Sequence, residues 1–290
     1  MTLLHRKFIF SVISLVIVIV FLLGIVLWSQ ASFDKNLKVI FLDIGQGDSI
    51  LINTPQGKNI LIDGGPDNTV IQKLGKYLPF YDKDIDIMIL THPHDDHVVG
   101  LVEVLRRYKV KEIYYTGVIH TSPSYLNWLE EIKKEGATLN LVDHPFNLDL
   151  EEDLTFKFLF PTESFLDKRV DNLNNTSIIN QLVYKNKTFL FTGDAEIELE
   201  EELINGDLDL ESNILKVCHH GSKTSSSREF LEAVQPEIVI ISVGQNNKFG
   251  HPSYRTIKNL QKIGAQIYRT DRDGDVVIKS DGENIVISNQ

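Results

Sequence analysis

Cysteine is nearly absent from this chain of 290 residues, because Cys218 is the only one. A single thiol excludes an intramolecular disulfide framework and any zinc module built from several cysteines. Basic residues are also scarce: 29 Lys and Arg stand against 40 Asp and Glu, which gives a net charge of -11. That balance argues against a protein that coats nucleic acid regardless of sequence. It does not exclude a nuclease, since a metal ion and a few local cations can hold a phosphate.

One long apolar run stands apart from this otherwise ordinary composition. Residues 8–28 carry no charge, and Arg6 and Lys7 precede them. About 20 apolar residues span a bilayer, so we expect residues 1–36 to be a membrane anchor and a linker. The positive-inside rule then predicts a single-pass protein of the cell membrane whose remaining chain is extracytoplasmic. A signal peptide cleaved after Ala31 is the alternative, and it predicts a secreted protein.

The densest group of potential metal ligands follows residues 85–90, a mostly apolar stretch that is typical of a buried strand. The run Thr91-His92-Pro93-His94-Asp95-Asp96-His97 comes next, and a helix over residues 101–108 is predicted after it. Alternate residues of an extended chain point the same way, which suits the first two histidines. Imidazoles with carboxylates favour Zn²⁺, Mn²⁺ or Fe²⁺. The predicted ligands are His92, His94, Asp96 and His97.

Other strand ends carry residues that can complete such a site. Asp194 follows an apolar strand, and a carboxylate there can bridge two cations. His219 and His220 follow another strand, and His251 lies further along the chain. We take His219 as a ligand, and His220 or His251 as the proton donor to a leaving group, although the sequence leaves open which histidine ligates. Asp96 is the candidate for orienting an attacking water.

Two polar stretches are candidates for contacts with a substrate. Residues 174–177 offer amide and hydroxyl groups just before a predicted strand, and residues 221–227 precede a predicted helix. Backbone N–H groups, hydroxyls and a lysine in the second stretch can receive a phosphate. Ordinary turn or helix-capping roles are the alternatives for both stretches. The candidate substrate-binding residues are Asn175, Ser177, Ser222 and Lys223.

Strand and helix patterns alternate along the chain and repeat in its C-terminal half. This alternation predicts two sheets packed face to face with helices outside. Two hairpins are predicted at the C-terminus, through Asp273-Gly274 and through Asp281-Gly282.

The order of the motifs resembles the metallo-β-lactamase fold of metal-dependent hydrolases. The resemblance covers residues 37–290 and implies an α/β domain built as a four-layer αββα sandwich. Shorter motifs are similar to the hydrolase domain of ComEC-type DNA-uptake competence proteins, which is thought to degrade the DNA strand left outside. They lie at residues 41–49, 61–65, 191–194, 219–222, 241–244 and 250–252. The resemblance implies a phosphodiesterase or nuclease with one or two Zn or Mn ions, and DNA as a possible substrate.

One departure from the wider fold concerns the first metal position. Many members have a further metal-binding histidine before the Gly-Asp motif, whereas only His120 and His144 lie between His97 and Asp194 here. We interpret His120 and His144 as loop residues outside the site. The first metal position is therefore expected to be weak, or to be filled only when substrate is present.

Two other functions are compatible with the same residues. The site can hydrolyse a small ester, lactone, thioester or amide, and the lack of a basic stripe favours small substrates. A non-catalytic, metal-binding partner of an uptake machine is the second alternative.

Overall fold

The computed structural model describes residues 12–21, 24, 36–206 and 208–289. The chain divides into two compact units, Met1–Lys35 and Asn36–Gln290. In the first unit, the described residues 12–21 are helical (α1) and exposed. Part of the predicted anchor lies outside the described residues, and within them no helix combines the length and apolarity needed to cross a membrane.

The second unit contains two β-sheets. The strands of the first sheet are β1 (Leu37–Phe41), β2 (Ile50–Asn53), β3 (Asn59–Ile62), β4 (Asp84–Ile89), β5 (Lys109–Tyr115), β6 (Thr138–Leu141), β14 (Val276–Ser280) and β15 (Ile285–Asn289). Those of the second are β7 (Phe146–Glu151), β8 (Leu154–Phe160), β9 (Ile179–Tyr184), β10 (Lys187–Phe191), β11 (Ile214–Lys216), β12 (Ile238–Ile241) and β13 (Gln266–Arg269). The spatial orders are β15-β14-β1-β2-β3-β4-β5-β6 and β13-β12-β11-β10-β9-β8-β7.

The helices connect strands within or between these sheets. They are α2 (Thr69–Tyr77), α3 (Asp95–Arg107), α4 (Pro123–Glu135), α5 (Ile197–Asn205), α6 (Arg228–Val234), α7 (Tyr254–Lys262) and α8 (Thr270–Asp273). Two short 3₁₀ turns, η1 (Asn174–Thr176) and η2 (Cys218–Gly221), lie next to strand ends.

Three apolar clusters show how these layers stack. The first lies between the sheets, where Phe41 of β1 faces Phe191 of β10 with ring centroids 6.2 Å apart. The second covers the outer face of the first sheet and includes Trp128 of α4. The third covers the outer face of the second sheet and includes Phe230 of α6. The predicted arrangement of two sheets face to face with helices outside is therefore confirmed.

Parallel pairing determines where the polar strand ends gather. In the first sheet β3, β4 and β5 run parallel, and in the second β10, β11 and β12 run parallel. Neighbouring parallel strands end at the same edge of a sheet, so the residues that follow them lie side by side.

Two sequence-based expectations about elements are corrected. The helix predicted over residues 101–108 begins at Asp95 instead, because acidic residues in a first turn are stabilised by the helix dipole. The hairpin predicted through Asp273-Gly274 is wrong: β13 pairs with β12, whereas β14 pairs with β1 in the other sheet. Helix α8 spans this crossing. The hairpin through Asp281-Gly282 is confirmed, since β14 and β15 pair antiparallel.

Candidate metal centre

The histidine motif forms where β4 leaves the first sheet. Its last strand residues are buried, and the chain then extends through Thr91 and His92 to the N-cap of α3 at His94. Asp96 and His97 therefore occupy the first turn of α3. The first half of the motif is extended and the second half is the first turn of a helix. Its potential ligands therefore lie together at one edge of the first sheet.

Asp63, directly after β3, orients the motif from behind. Its carboxylate accepts hydrogen bonds from the Thr91 backbone N–H at 2.8 Å and from the Thr91 hydroxyl at 2.7 Å. The Nδ1 of His97 lies 2.8 Å from the same carboxylate. A carboxylate on one ring nitrogen sets the tautomer and leaves the other nitrogen free to ligate. The Nε2 of His97 accordingly faces the site.

Asp96, His97, Asp194 and His220 form a four-residue cluster whose ligand atoms all lie within 4.8 Å of one another. Asp194 Oδ2 is 3.4 Å from His97 Nε2 and 3.3 Å from His220 Nε2, and Asp96 Oδ2 is 3.4 Å from His220 Nε2. Both Nε2 atoms are buried without a hydrogen-bond partner among the described residues. Buried, unpaired imidazole nitrogens beside carboxylates fit a divalent cation such as Zn²⁺ or Mn²⁺.

The turn η2 presents His219 and His220 to the site together. Both have left-handed backbone conformations, with φ of 46° and 52°. His220 Nδ1 donates to the Ser242 carbonyl at 2.9 Å, so its Nε2 points into the cluster. His219 lies at the rim, with Nε2 3.7 Å from Asp194 Oδ2 and Nδ1 3.1 Å from Glu196 Oε1. His220 therefore sits closer to Asp194 than His219, the residue predicted as the ligand.

His92 and His94 form a histidine pair beside the cluster, and the ring centroid of His92 lies 4.2 Å from that of His97. The Nε2 of His92 is 3.1 Å from His94 Nδ1 and 3.9 Å from Asp194 Oδ2. Behind the pair, Ser177 is fully buried, accepts the Asp194 backbone N–H at 3.1 Å and lies 3.4 Å from His92 Nδ1. Asp194 Oδ2 is thus shared between the cluster and the pair.

The two groups differ in their charge states. Burial, with a further contribution from His97, lowers the pKa of both His92 and His94. Burial also opposes charge on His97 and His220, but Asp194 and neighbouring carboxylates outweigh it and raise the pKa of both rings well above the ordinary value. Burial opposes charge on Asp194 too, yet His220 and His97 hold its pKa well below the usual range.

Asp48 and Lys216 also lie at the site, although neither is among the residues predicted from the sequence. Gly47 has φ of 123°, and a Cβ there would lie 2.1 Å from the Asp96 carbonyl oxygen, so only glycine brings Asp48 this close. Lys216 on β11 is buried and contacts the Asp48 carboxylate. A recognisable signal existed for Lys216, which is the one charged residue in the otherwise apolar stretch 214–218.

The predicted substrate-binding residues occupy different surroundings. Ser222 is buried and bonds to Thr224 at 3.0 Å, whereas Lys223 is exposed. The backbone N–H groups of Ser226 and Ser227 donate to the Glu200 carboxylate, so the protein itself occupies these two potential phosphate donors.

Stretch 174–177 contacts Glu196, and the end of stretch 221–227 caps α6. Asn175 accepts the Glu196 backbone N–H at 3.0 Å, and Asn174 donates to its carboxylate at 3.1 Å. Ser227 caps α6 by accepting the Phe230 N–H at 3.2 Å, which matches the capping alternative.

Three other histidines differ in their distance from the site. The ring of His251 lies 5.5 Å from that of His219 and 6.4 Å from that of His220. Burial, together with His220 and His219, lowers the pKa of His251 to about 4. His120 lies with its ring 6.3 Å from that of His94, so it is nearer the site than we expect from the sequence. His144 is exposed and bonds to Asp143.

Comparison with known proteins agrees with this geometry. The sequence profile of the Metallo-beta-lactamase superfamily matches residues 42–245. ComE operon protein 3 of Bacillus subtilis is 31% identical in an alignment over 256 residues that covers 82% of this chain and 32% of that protein. Competence protein ComA of Neisseria gonorrhoeae is 28% identical over 84% of this chain and 32% of its own length. The chain thus spans about a third of these curated relatives.

Solved structures show the same fold at low identity. The metallo-beta-lactamase fold protein YhfI of Bacillus subtilis has a TM-score of 0.55 at 12% identity, covering 84% of this chain and all of its own. Igni18, a metallo hydrolase of Ignicoccus hospitalis, has a TM-score of 0.53 at 17% identity, covering 83% and 98%.

The profile match, the competence relatives and the gathered strand-end ligands confirm the resemblance read from the motifs. This chain belongs to the metallo-β-lactamase superfamily.

Proposed function

We propose that this protein is a metal-dependent phosphodiesterase of nuclease type, tethered to the membrane and acting outside the cytoplasm. The observation that carries the hydrolase assignment is the position of one atom, Asp194 Oδ2. It lies within 3.9 Å of an imidazole nitrogen of His92, His97, His219 and His220. One carboxylate oxygen that faces so many imidazoles suits a bridge between two cations.

The residues divide into two sets of ligands. Asp96, His97, Asp194 and His220 would hold one Zn²⁺ or Mn²⁺ ion. His92 and His94, with the shared Asp194 oxygen, would hold a second, weaker one. A bound cation supplies a water of lowered pKa and stabilises negative charge that develops on the substrate.

The protein's own groups would place the substrate and move protons. Asp96 is the most exposed carboxylate of the cluster, with 30% of its side chain accessible, so it can orient the attacking water. His219 at the rim can ligate or donate a proton to the leaving group, because Glu196 lies beside its Nδ1. His251 is neutral near pH 7, since its pKa is about 4, and that favours a hydrogen-bonding role over proton donation.

The phosphodiester substrate is supported by similarity to a protein named for competence. Exposed Lys223 follows His219 and His220 closely and can contact a phosphate as a point charge. A small ester, lactone, thioester or amide is the second candidate, favoured by the net charge of -11. A non-catalytic metal-binding partner of an uptake machine would show metal binding without turnover.

A panel of substrates tests the proposal. The metal-loaded chain is assayed with single- and double-stranded DNA, a chromogenic phosphodiester, a lactone and a β-lactam, with Asp194→Asn as the inactive control. We expect cleavage of DNA and the phosphodiester only. Lys223→Ala should weaken phosphodiester turnover at unchanged metal content and reduce the salt slope on DNA by roughly one unit. Hydrolysis of only the lactone or β-lactam would overturn the phosphodiester assignment.

The tether is supported by Arg6 and Lys7 before the apolar residues 8–28. Protease added to intact cells should digest the domain, and survival of the domain until lysis would contradict the orientation. Mass spectrometry of the mature N-terminus separates a retained anchor from a signal peptide cleaved after Ala31.

A further inference from the structure

A buried ion pair lies directly behind the four-residue cluster. The side chain of Lys216 is fully buried, and its Nζ donates to Asp48 Oδ2 and, at 2.9 Å, to the Gly193 carbonyl. The next acceptor is Asp194 Oδ1 at 3.8 Å. A lysine ammonium has three donor hydrogens. Two of them are used by Asp48 and the Gly193 carbonyl, and Asp194 Oδ1 faces the ammonium as an ion-pair partner.

This contact gives the two oxygens of Asp194 different surroundings. Oδ2 faces the Nε2 atoms of His97 and His220 at 3.4 Å and 3.3 Å. Oδ1 is buried, has no hydrogen-bond partner among the described residues and faces the Lys216 ammonium. The positive charge behind Oδ1 opposes rotation of the carboxylate, because rotation would separate two buried opposite charges.

Asp48 extends the same support to the other cluster residues. Its Oδ1 lies 3.4 Å from His220 Nδ1, and its backbone N–H donates to the Asp96 carbonyl at 3.2 Å. The ion pair thus contacts Asp194 through Lys216, and His220 and Asp96 through Asp48. Taking the charge of a lysine out of water is costly, and the carboxylates of Asp48 and Asp194 offset that cost for the buried Lys216.

We propose that Lys216 and Asp48 are positioning residues, which hold Asp194 so that Oδ2 alone faces the cation and hold His220 and Asp96 around it. The inference rests on the proposed metal centre and deepens it. It concerns cation affinity and not the identity of the substrate. The pair itself would not ligate.

The test compares cation binding in charge-neutral double variants of the full chain. The purified, chelator-treated protein is titrated calorimetrically with Mn²⁺ and with Zn²⁺. Asp48→Asn/Lys216→Met removes one charge of each sign, with Asn matching Asp in size and Met one atom shorter than Lys. We expect the tighter cation to bind about 10- to 100-fold more weakly, the effect typical of removing groups that orient metal ligands.

The matched control is Lys73→Met/Asp275→Asn, which removes another ion pair, with Nζ and Oδ1 2.6 Å apart and Asp275 fully buried. It should leave the dissociation constant unchanged. An unchanged constant in Asp48→Asn/Lys216→Met, with the wild type binding normally, overturns the positioning role. A wild type that binds neither cation overturns the metal centre itself.

Should the double variant fail to fold, Asp48→Asn is measured alone. The ammonium is then balanced by Asp194 only and competes with the cation, so binding weakens about tenfold, within the range for outer-shell changes. Wild-type affinity in this variant counts against the proposal in the same way.

Discussion

The four-residue cluster and the histidine pair share Asp194 but are prepared for a cation to different degrees. In the cluster, Asp63 orients His97 and the Ser242 carbonyl orients His220, at 2.8 Å and 2.9 Å. In the pair, the nearest group to His92 Nε2 is the ring nitrogen of His94, at 3.1 Å. That spacing suits two imidazole ligands of one ion, because Zn–N distances of about 2.0–2.1 Å place such nitrogens roughly 3 Å apart. What distinguishes the pair is its support: His92 Nδ1 lies beside the hydroxyls of Thr91 and Ser177, at 3.2 Å and 3.4 Å, whereas a carboxylate and a carbonyl hold the rings of the cluster.

Both positions offer two histidines, so the number of histidines does not decide which position binds a cation more tightly. The cluster has two histidines and two carboxylates, and a neighbour holds each of its histidines through Nδ1. The pair has no carboxylate except the shared Asp194, and the segment behind it contributes the buried hydroxyl of Ser177. We therefore expect one cation to bind tightly at the cluster and a second to bind weakly at the pair.

Removing the shared carboxylate should have the largest effect on both positions. Asp194→Asn keeps the shape but removes the charge that faces four imidazoles. We expect loss of bound metal, measured by elemental analysis, and a fall in turnover of at least about 1000-fold, or ~4 kcal/mol of transition-state stabilisation. Metal content equal to that of the wild type would show that neither position depends on Asp194.

Single histidine variants should separate the two positions. His220→Ala removes an oriented ligand, and the tighter cation should bind more than about 100-fold more weakly, since even outer-shell changes cost 10- to 100-fold. His94→Ala should lower occupancy of the weaker position only. Calorimetric titration of both variants measures the affinity for each cation. If His94→Ala weakened the tighter cation and His220→Ala the weaker one, the tighter position would be the pair and not the cluster.

Proton release should distinguish the positions at neutral pH. The pKa of His97 and of His220 is raised, so both rings carry a proton that a cation must displace. The pKa of His92 and of His94 is lowered, so these rings are already neutral. Binding at the cluster should release up to about two protons and weaken as the pH falls. Calorimetric titration in buffers of different ionisation enthalpy measures the number of protons released on cation binding. A value of zero would contradict the assignment of a proton to His97 and His220.

The smallest effect is expected at the rim beside the pair. His120→Ala removes a ring 6.3 Å from that of His94 and should raise KM about three- to tenfold, or ~1 kcal/mol, at unchanged metal content. His144→Ala is the matched control, because that side chain is 70% exposed and bonds only to Asp143 among the described residues. If KM is the same in both variants, His120 does not contribute to the site.

Local sequence patterns predicted those elements that a short run of residue types identifies. Strand β4 is a mostly apolar run, and the histidine motif follows it without interruption, so ligand spacing alone indicated a metal site. Asp194 could be placed because it ends an apolar strand. The start of α3 was misplaced although its acidic first turn is a local signal. The crossing between β13 and β14 could not be predicted, since it depends on pairing with distant strands.

The choice between His219 and His220 illustrates what spacing cannot decide. Both residues lie in a left-handed turn, and the Ser242 carbonyl behind His220 directs its Nε2 into the cluster. The sequence offers two adjacent histidines with identical chemistry. Their orientation follows from a strand that lies about twenty residues further along the chain.

By itself, the sequence determined the fold family and most candidate ligands, because these depend on residue type and on short, regular spacing. The tertiary structure alone decided that Asp48, Asp63 and Lys216 stand around the ligands, since parallel strands from distant parts of the chain end at one edge. It also decided that Asp194 directs a single oxygen to the histidines. Charge compensation among buried groups acts through space, and no local pattern records it.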